Sequence, residues 1–107
     1  MKPQKIKILK IDGEYSDFHT FYEKNKRIIY DSILESFDEF NQNDKIKHHV
    51  LQLSNVNEED GWYAELDFKK EDYIILKRDL MPYYEKIEDY EKCSKIIELD
   101  KRFTSSK

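Results

Sequence analysis

The sequence predicts a small α+β domain, in which helices pack on one face of a two- or three-stranded antiparallel sheet and the element order is β-α-β-β-α-α. Three observations carry this prediction. Three short segments have strand character, and in the third, residues 62–68, apolar and polar residues alternate strictly. Between residues 18 and 41 apolar residues instead recur at helical spacing. A second helical pattern, after residue 73, changes phase before it ends, which indicates two helices rather than one.

The first predicted element is a strand over residues 5–11. Ile6 and Ile8 share one face, and the apolar pattern then shifts to Leu9 and Ile11. Such a shift is typical of a strand that contains a bulge or is covered on both faces. An Asp-Gly pair, which is a turn signal, follows the strand.

A long helix is predicted next, from Ser16 or Asp17 to about Asn41, because either of the first two residues can act as its N-cap. Its apolar face comprises Phe18, Tyr22, Ile29, Ile33, Phe37 and Phe40. Asn25 lies where this face skips a turn. The sequence therefore allows one kinked helix or two shorter helices.

Two strands follow a polar break at residues 41–44. They are predicted over residues 46–53 and 62–68, and the second shows strict alternation of apolar and polar side chains. The polar connection at residues 54–61 ends in Asp-Gly, so an antiparallel hairpin with a long loop is the simplest arrangement.

The C-terminal third contains the change of phase. At about 100° per helical residue, one sector holds Tyr73, Leu76, Leu80, Tyr83, Tyr84 and Ile87. A second sector, rotated by roughly a quarter turn, holds Tyr90, Cys93 and Ile97. A straight helix cannot bury both sectors, so we predict a turn at Glu88-Asp89, with Asp89 capping a second helix. Pro82 should kink or restart the first helix near Leu80.

Together these elements predict one shared core, formed by Phe18, Ile29, Ile33, Phe37, Trp62, Leu66, Phe68, Leu76 and Leu80. The length of 107 residues predicts one domain over residues 1–103, with a frayed tail at 104–107. Charged residues make up 39% of the chain, but aromatic residues make up 14% and supply the buried area that disordered chains lack.

The single cysteine, the lack of a signal peptide and the shortness of the apolar runs favour a soluble cytoplasmic protein that is not in a membrane. His48 and His49 should point to opposite faces of a strand, and His19 lies on another element, so we expect no metal site. Cys93 lies on an apolar helix face and is predicted to be buried. We therefore expect no catalytic residues and no cofactor, and predict that the chain is not an enzyme.

The run from Glu88 to Ile96 places an acid, an aromatic residue and a glutamate before two small residues and an aliphatic one. This run resembles the UVR motif, and the similarity extends over about residues 73–102. In that family the motif is a helical hairpin used for protein–protein docking. The resemblance therefore implies a hairpin that docks on a partner, although Ile97-Glu98 replaces the family's usual Arg-Asp pair.

The sequence offers no catalytic or metal-binding residues, and it has more aromatic residues than the core is expected to need. Together these predict a small protein-binding adaptor or inhibitor that docks on a larger protein or ribonucleoprotein. One form of this hypothesis is a phage or mobile-element inhibitor of a host defence complex, of the anti-CRISPR type. We predict the partner-binding residues to be Lys77, Arg78, Tyr83, Tyr84, Glu85 and Glu88. Tyr84 is expected to be the aromatic anchor and the charges its rim.

The alternative hypothesis is an RNA- or DNA-binding protein that uses its basic N-terminal strand. Its contacts would be Lys2, Lys5, Lys7, Lys10 and Tyr63. The net charge of −4 is too balanced to indicate nucleic-acid binding by itself. Lysines on an edge strand also prevent edge-to-edge aggregation, which explains Lys5 and Lys7 without a ligand.

Overall fold

The computed structural model describes residues 4–43, 45–55 and 62–105. Its strands and α-helices are β1 (Gln4–Ile11), α1 (Phe18–Lys24), α2 (Lys26–Gln42), β2 (His48–Asn55), β3 (Trp62–Lys69), α3 (Met81–Lys86) and α4 (Tyr90–Ser105). A 3-10 turn at Lys70–Tyr73 and a π-helical segment at Leu76–Leu80 join β3 to α3. The α+β class and the order β-α-β-β-α-α are confirmed, with the predicted long helix divided into α1 and α2.

The three strands form one mixed sheet in the order β1-β2-β3. β2 and β3 are antiparallel, as predicted, but β1 and β2 are parallel, from the pair Gln4 and His48 to the pair Ile11 and Asn55. The helical segment between β1 and β2 returns the chain to its starting end, and such a crossover joins parallel strands. The prediction of a fully antiparallel sheet is therefore wrong for the pairing of β1 with β2.

β1 pairs with β2 through eight consecutive residues without an irregularity, so the predicted bulge is not observed there. Ile6 and Ile8 point away from the helices and are 55% and 53% exposed, which also excludes coverage on both faces. The apparent change of phase arises because Lys5 and Lys7 occupy the inner row, where their amino groups form ion pairs with Glu39 and Glu35 of α2. Their aliphatic stems occupy positions that shorter apolar residues would otherwise fill.

Asn25 separates α1 from α2. Asp17 caps α1, since its Oδ1 accepts a hydrogen bond of 2.8 Å from the Thr20 backbone N–H. At the other end the Asn25 side chain donates to the Phe21 carbonyl at 2.8 Å, which ends the helix locally. Because α1 has its own phase, Phe21 is fully buried whereas Phe18 is 41% exposed, so the assignment of Phe18 to the core is wrong.

The predicted turn at Glu88-Asp89 is present. The Asp89 N–H donates to the Tyr84 carbonyl at 2.9 Å and the Glu88 N–H to the Glu85 carbonyl at 3.1 Å, which together form a Schellman motif. Glu88 adopts a φ of +60°, the left-handed conformation that this motif requires. α4 then begins at Tyr90, and Asp89 Oδ1 accepts from the Lys92 N–H at 3.4 Å, as expected of a cap.

Pro82 restarts the helix, as predicted, through the π-helical segment before it. The Met81 N–H donates to the Leu76 carbonyl five residues earlier, so this turn is wider than an α-turn. The wider turn rotates everything after it. Tyr84 consequently lies at the centre of the buried face, whereas Ile87, which a regular helix would bury, is exposed.

The core lies between the inner face of the sheet and the helices. The predicted members Ile29, Ile33, Phe37, Phe68, Leu76 and Leu80 are buried in it, and Leu66 packs against it. The side chain of Trp62 lies outside the described residues.

In α4 the buried residues are Cys93, Ile96, Leu99 and Phe103. Tyr90 and Ile97 are exposed, so the predicted apolar face of this helix was correct only at Cys93. α4 also includes residues 104 and 105, which were predicted as tail. No helix among the described residues has the length and apolar character needed to cross a membrane.

Candidate partner-binding groove

A groove with a volume of about 460 Å³ lies between the α1–α2 kink and α3. One wall is formed by Glu23, Lys24, Lys26 and Arg27, which lie on either side of the Asn25 break. The other wall comes from Asp79 and from α3, which Pro82 begins. The groove thus depends on two local interruptions of helix that bring separate segments side by side.

Pro82, Tyr83 and Ile87 form the apolar part of the groove. The Tyr83 ring packs edge-on against Tyr30 of α2, with centroids 5.2 Å apart and an interplanar angle of 90°. These contacts continue through a row of rings that comprises Tyr15, Phe21, Phe18, Tyr22, Tyr30, Tyr83 and Tyr84. Because neighbouring rings already hold the Tyr83 side chain in place, it would lose little conformational entropy when a partner binds.

The groove is rimmed by four basic residues and two acidic residues, although the whole chain has a net charge of −4. Lys26 lies 3.8 Å from Glu23 and over the ring of Tyr30, and Arg27 lies 3.4 Å from Asp89.

Lys24 and Lys86 are exposed and form no ion pair within the described part of the chain. These two ammonium groups therefore remain available to a negatively charged partner.

The structure separates the residues predicted to contact a partner. Tyr83 lies in the groove. Arg78 forms a two-pronged ion pair with its neighbour Asp79, at 2.8 Å for the shortest contact. Lys77 is on the side of α4, 3.8 Å from Asp100. Glu85 and Glu88 are exposed, and Glu88 belongs to the turn.

Tyr84 cannot be the exposed anchor, because its side chain is fully buried. Its hydroxyl donates a hydrogen bond of 2.6 Å to Asp31 Oδ1. Burial and the neighbouring Asp31 carboxylate raise the pKa of Tyr84, because both disfavour a phenolate. Both tyrosines were predicted to contact a partner, and of the two only Tyr83 reaches the groove.

Sequence reasoning missed the basic wall of the groove. Lys24, Lys26 and Arg27 surround the Asn25 break, and Lys86 lies on an element more than 50 residues away. Three basic residues around a predicted kink could have been recognised in the sequence as a positively charged site. The position of Lys86 beside them could not, because it depends on how α3 packs against α2.

The contacts of the alternative nucleic-acid hypothesis are only partly available. Lys5 and Lys7 are paired with Glu39 and Glu35, the second pair at 2.8 Å. Lys10 is exposed. Lys2 and the Tyr63 side chain lie outside the described residues. Of the three lysines in β1, Lys5 and Lys7 therefore have their charges offset by ion pairs, and Lys10 does not among the described residues.

The two adjacent histidines point to opposite faces, as predicted. His49 is buried beside Glu39, whereas His48 contacts Asp67 on the open side of the sheet. The described residues include no group of three or more His, Cys, Asp or Glu side chains that could hold a metal ion.

Cys93 is buried, and burial raises the pKa of its thiol. A raised pKa disfavours the thiolate and hence the nucleophile.

Comparison with known proteins found no family model, no curated protein and no solved structure that matches the chain.

Proposed function

We propose that the chain is a non-enzymatic protein-binding module, an adaptor or an inhibitor, whose groove holds a short acidic segment of a larger partner. The observation that carries the proposal is an apolar floor beside two ammonium groups that form no ion pair with any of the described residues. Tyr83 and Ile87 supply the floor, and Lys24 and Lys86 supply the charges.

The chemistry of the groove favours a segment with one apolar side chain flanked by carboxylates. An aromatic or aliphatic side chain can displace water from the floor, and a tyrosine held by its neighbours is an efficient contact residue. Carboxylates of the bound segment would pair with Lys24 and Lys86, which have no ion-pair partner in the part of the chain that the structure describes. Such rim charges mainly speed association and select the partner.

The anti-CRISPR form of the proposal specifies a ribonucleoprotein of a host defence complex as the partner. The small size and the net charge of −4 are compatible with a protein that covers a nucleic-acid-binding surface. Direct binding of RNA or DNA is less well supported, because the ion pairs of Lys5 and Lys7 offset most of the charge described on that strand.

The proposal is tested by affinity purification of the chain from cells that produce it, with the captured proteins identified by mass spectrometry. The groove variant combines Lys24→Glu with Lys86→Glu, and a second variant is Ile87→Ser. The matched control combines Lys47→Glu with Lys101→Glu, which makes the same charge change at exposed lysines outside the groove. The groove variants should bind the captured partner at least tenfold more weakly, and the control should bind normally.

Three results would contradict the proposal. One is normal binding by the groove variants together with loss of binding in Lys77→Glu/Arg78→Glu, which would place the contact on the outer side of the hairpin. Another is capture of RNA or DNA without any accompanying protein. The third is salt-sensitive retention on a polyanion column that Lys24→Glu/Lys86→Glu leaves unchanged, which would favour the nucleic-acid hypothesis.

A further inference from the structure

β1 is an edge strand with an unusually open surface. Among the described strands it has one neighbour, β2, and it is eight residues long without a bulge. Its outward side chains Ile6 and Ile8 are 55% and 53% exposed. Folded proteins generally shorten, bend or cover such an edge, because its free N–H and C=O groups can pair with another strand.

The charges beside the edge show what kind of strand it suits. Lys5 and Lys7 already contact Glu39 and Glu35, so an acidic strand from another protein would find their charge offset and would meet two glutamates. Ile6 and Ile8 remain more than half exposed on the open face of the sheet. The edge is therefore suited to a strand that offers apolar side chains on that face.

β1 itself is such a strand. We propose that β1 pairs antiparallel with β1 of a second copy, about a two-fold axis through Lys7, which joins the two sheets into one of six strands. Opposite residues then share a face, as antiparallel pairing requires. Ile6 lies opposite Ile8 of the second copy and Ile8 opposite its Ile6. Each copy exposes two isoleucines on this face, and pairing brings the four of the dimer into side-by-side contact, which removes part of their exposed apolar surface.

Neighbouring registers are poorer. An axis through Ile6 leaves Ile8 opposite Gln4 of the second copy, and an axis through Ile8 leaves Ile6 opposite Lys10. In each of these only one pair of isoleucines meets directly. A register offset by one residue would place the isoleucine rows of the two copies on opposite faces of the joined sheet, which a two-fold axis normal to the sheet does not allow.

The axis brings Lys7 of one copy beside Lys7 of the other, which alone would be unfavourable. Each Lys7 Nζ lies 2.8 Å from Glu35 Oε2, and the Glu35 side chain is 61% exposed. Two lysines and two glutamates would therefore meet at the axis, and opposite charges would lie next to each other. The proposal concerns a surface away from the groove and does not depend on the proposed function.

The first experiment tests the register by cross-linking the purified full-length chain under mild oxidation. Directly opposite residues lie about 5 Å apart between Cα atoms, within the range of a disulfide, whereas diagonal residues lie about 7–8 Å apart. Lys7→Cys should form covalent dimers at least tenfold faster than Ile6→Cys. The double variant Ile6→Cys/Ile8→Cys should again cross-link readily. The unaltered chain, with Cys93 buried, measures the background.

The second experiment measures mass in solution by sedimentation velocity over a range of concentrations. The unaltered chain should show a concentration-dependent dimer, and Ile6→Thr/Ile8→Thr should be monomeric, because threonine keeps the strand propensity and removes apolar surface. The matched control is Ile28→Thr/Ile97→Thr, which alters two exposed isoleucines on helices and should still dimerise. Lys24→Glu/Lys86→Glu should also dimerise, which separates this surface from the groove.

A chain that stays monomeric at every concentration overturns the proposal. So does equal cross-linking of Lys7→Cys and Ile6→Cys, which shows that collisions rather than this register join the chains. Circular dichroism of each variant establishes that it is folded. Should the threonine variant unfold, the cross-linking comparison still decides the question.

Discussion

His49 is an ionisable side chain buried on the inner face of β2. It is 1% exposed, its ring packs edge-on against Phe40 at 5.0 Å, and its Nε2 lies 3.2 Å from Glu39 Oε2 without the angle of a hydrogen bond. Burial is the main cause that lowers the pKa of His49 below its ordinary value of 6.5, and Lys5 and Lys7 lower it further, while Glu39 acts in the opposite direction.

A lowered pKa makes His49 a source of acid sensitivity. As the pH falls below about 6.5, the unfolded chain takes up a proton that the folded chain resists, so the free energy of unfolding decreases. The loss is at most about 1.4 kcal/mol for each pH unit until the folded-state pKa is reached. Urea unfolding at pH 7.5 and 5.5 should show a larger decrease for the unaltered chain than for His49→Phe, which cannot titrate. Equal decreases would contradict this assignment.

At the scale of elements, the turn between α3 and α4 contains a strained residue. Glu88 has a φ of +60°, where residues other than glycine are disfavoured by the contact of Cβ with the backbone. The two hydrogen bonds of the Schellman motif hold it there. The conformation of Glu88 lowers the stability of the fold, but it makes the short connection that lets α4 pack beside α3.

Replacing Glu88 by glycine should relieve this strain. Glu88→Gly is expected to raise the free energy of unfolding by up to about 1 kcal/mol, because the relief exceeds the entropy that glycine adds to the unfolded chain. Glu85→Gly, inside α3, should instead lower it by about 1 kcal/mol. Chemical denaturation of the two variants measures both changes. A loss of stability in both would show that the turn does not prefer glycine.

At the scale of the whole molecule, Phe37 links the layers. Its side chain is fully buried, and its ring packs against Phe40 at 5.5 Å, Phe68 of β3 at 5.8 Å and Phe103 of α4 at 6.2 Å. One ring therefore joins α2, the sheet and the last helix.

Truncation of this ring should affect the entire domain. Phe37→Ala is expected to lower the free energy of unfolding by about 3–5 kcal/mol, since it leaves a cavity between three elements. Phe18→Ala removes the same number of atoms from a side chain that is 41% exposed and should cost about 1 kcal/mol or less. Thermal and urea unfolding compare the two. Losses of equal size would show that Phe37 is not central to the core.

The sequence by itself determined the class, the order of the elements and most of their ends. The Asp17 cap, the break at Asn25, the restart at Pro82 and the turn before Tyr90 are all found where they were predicted. Each depends on residues within about one helical turn. Local backbone preferences and side-chain caps decide such features, so they can be read from neighbouring residues alone.

Only the tertiary structure decided how these elements meet. The parallel pairing of β1 with β2, the inward lysines of β1 and the position of Lys86 beside Lys24 join residues far apart in the chain. The π-helical turn placed Tyr84 in the core and Tyr83 in the groove, although it moves the helix phase by only one residue. The candidate site lay beyond sequence reasoning because rotation and packing against distant elements, rather than local propensity, choose which face of a helix is exposed.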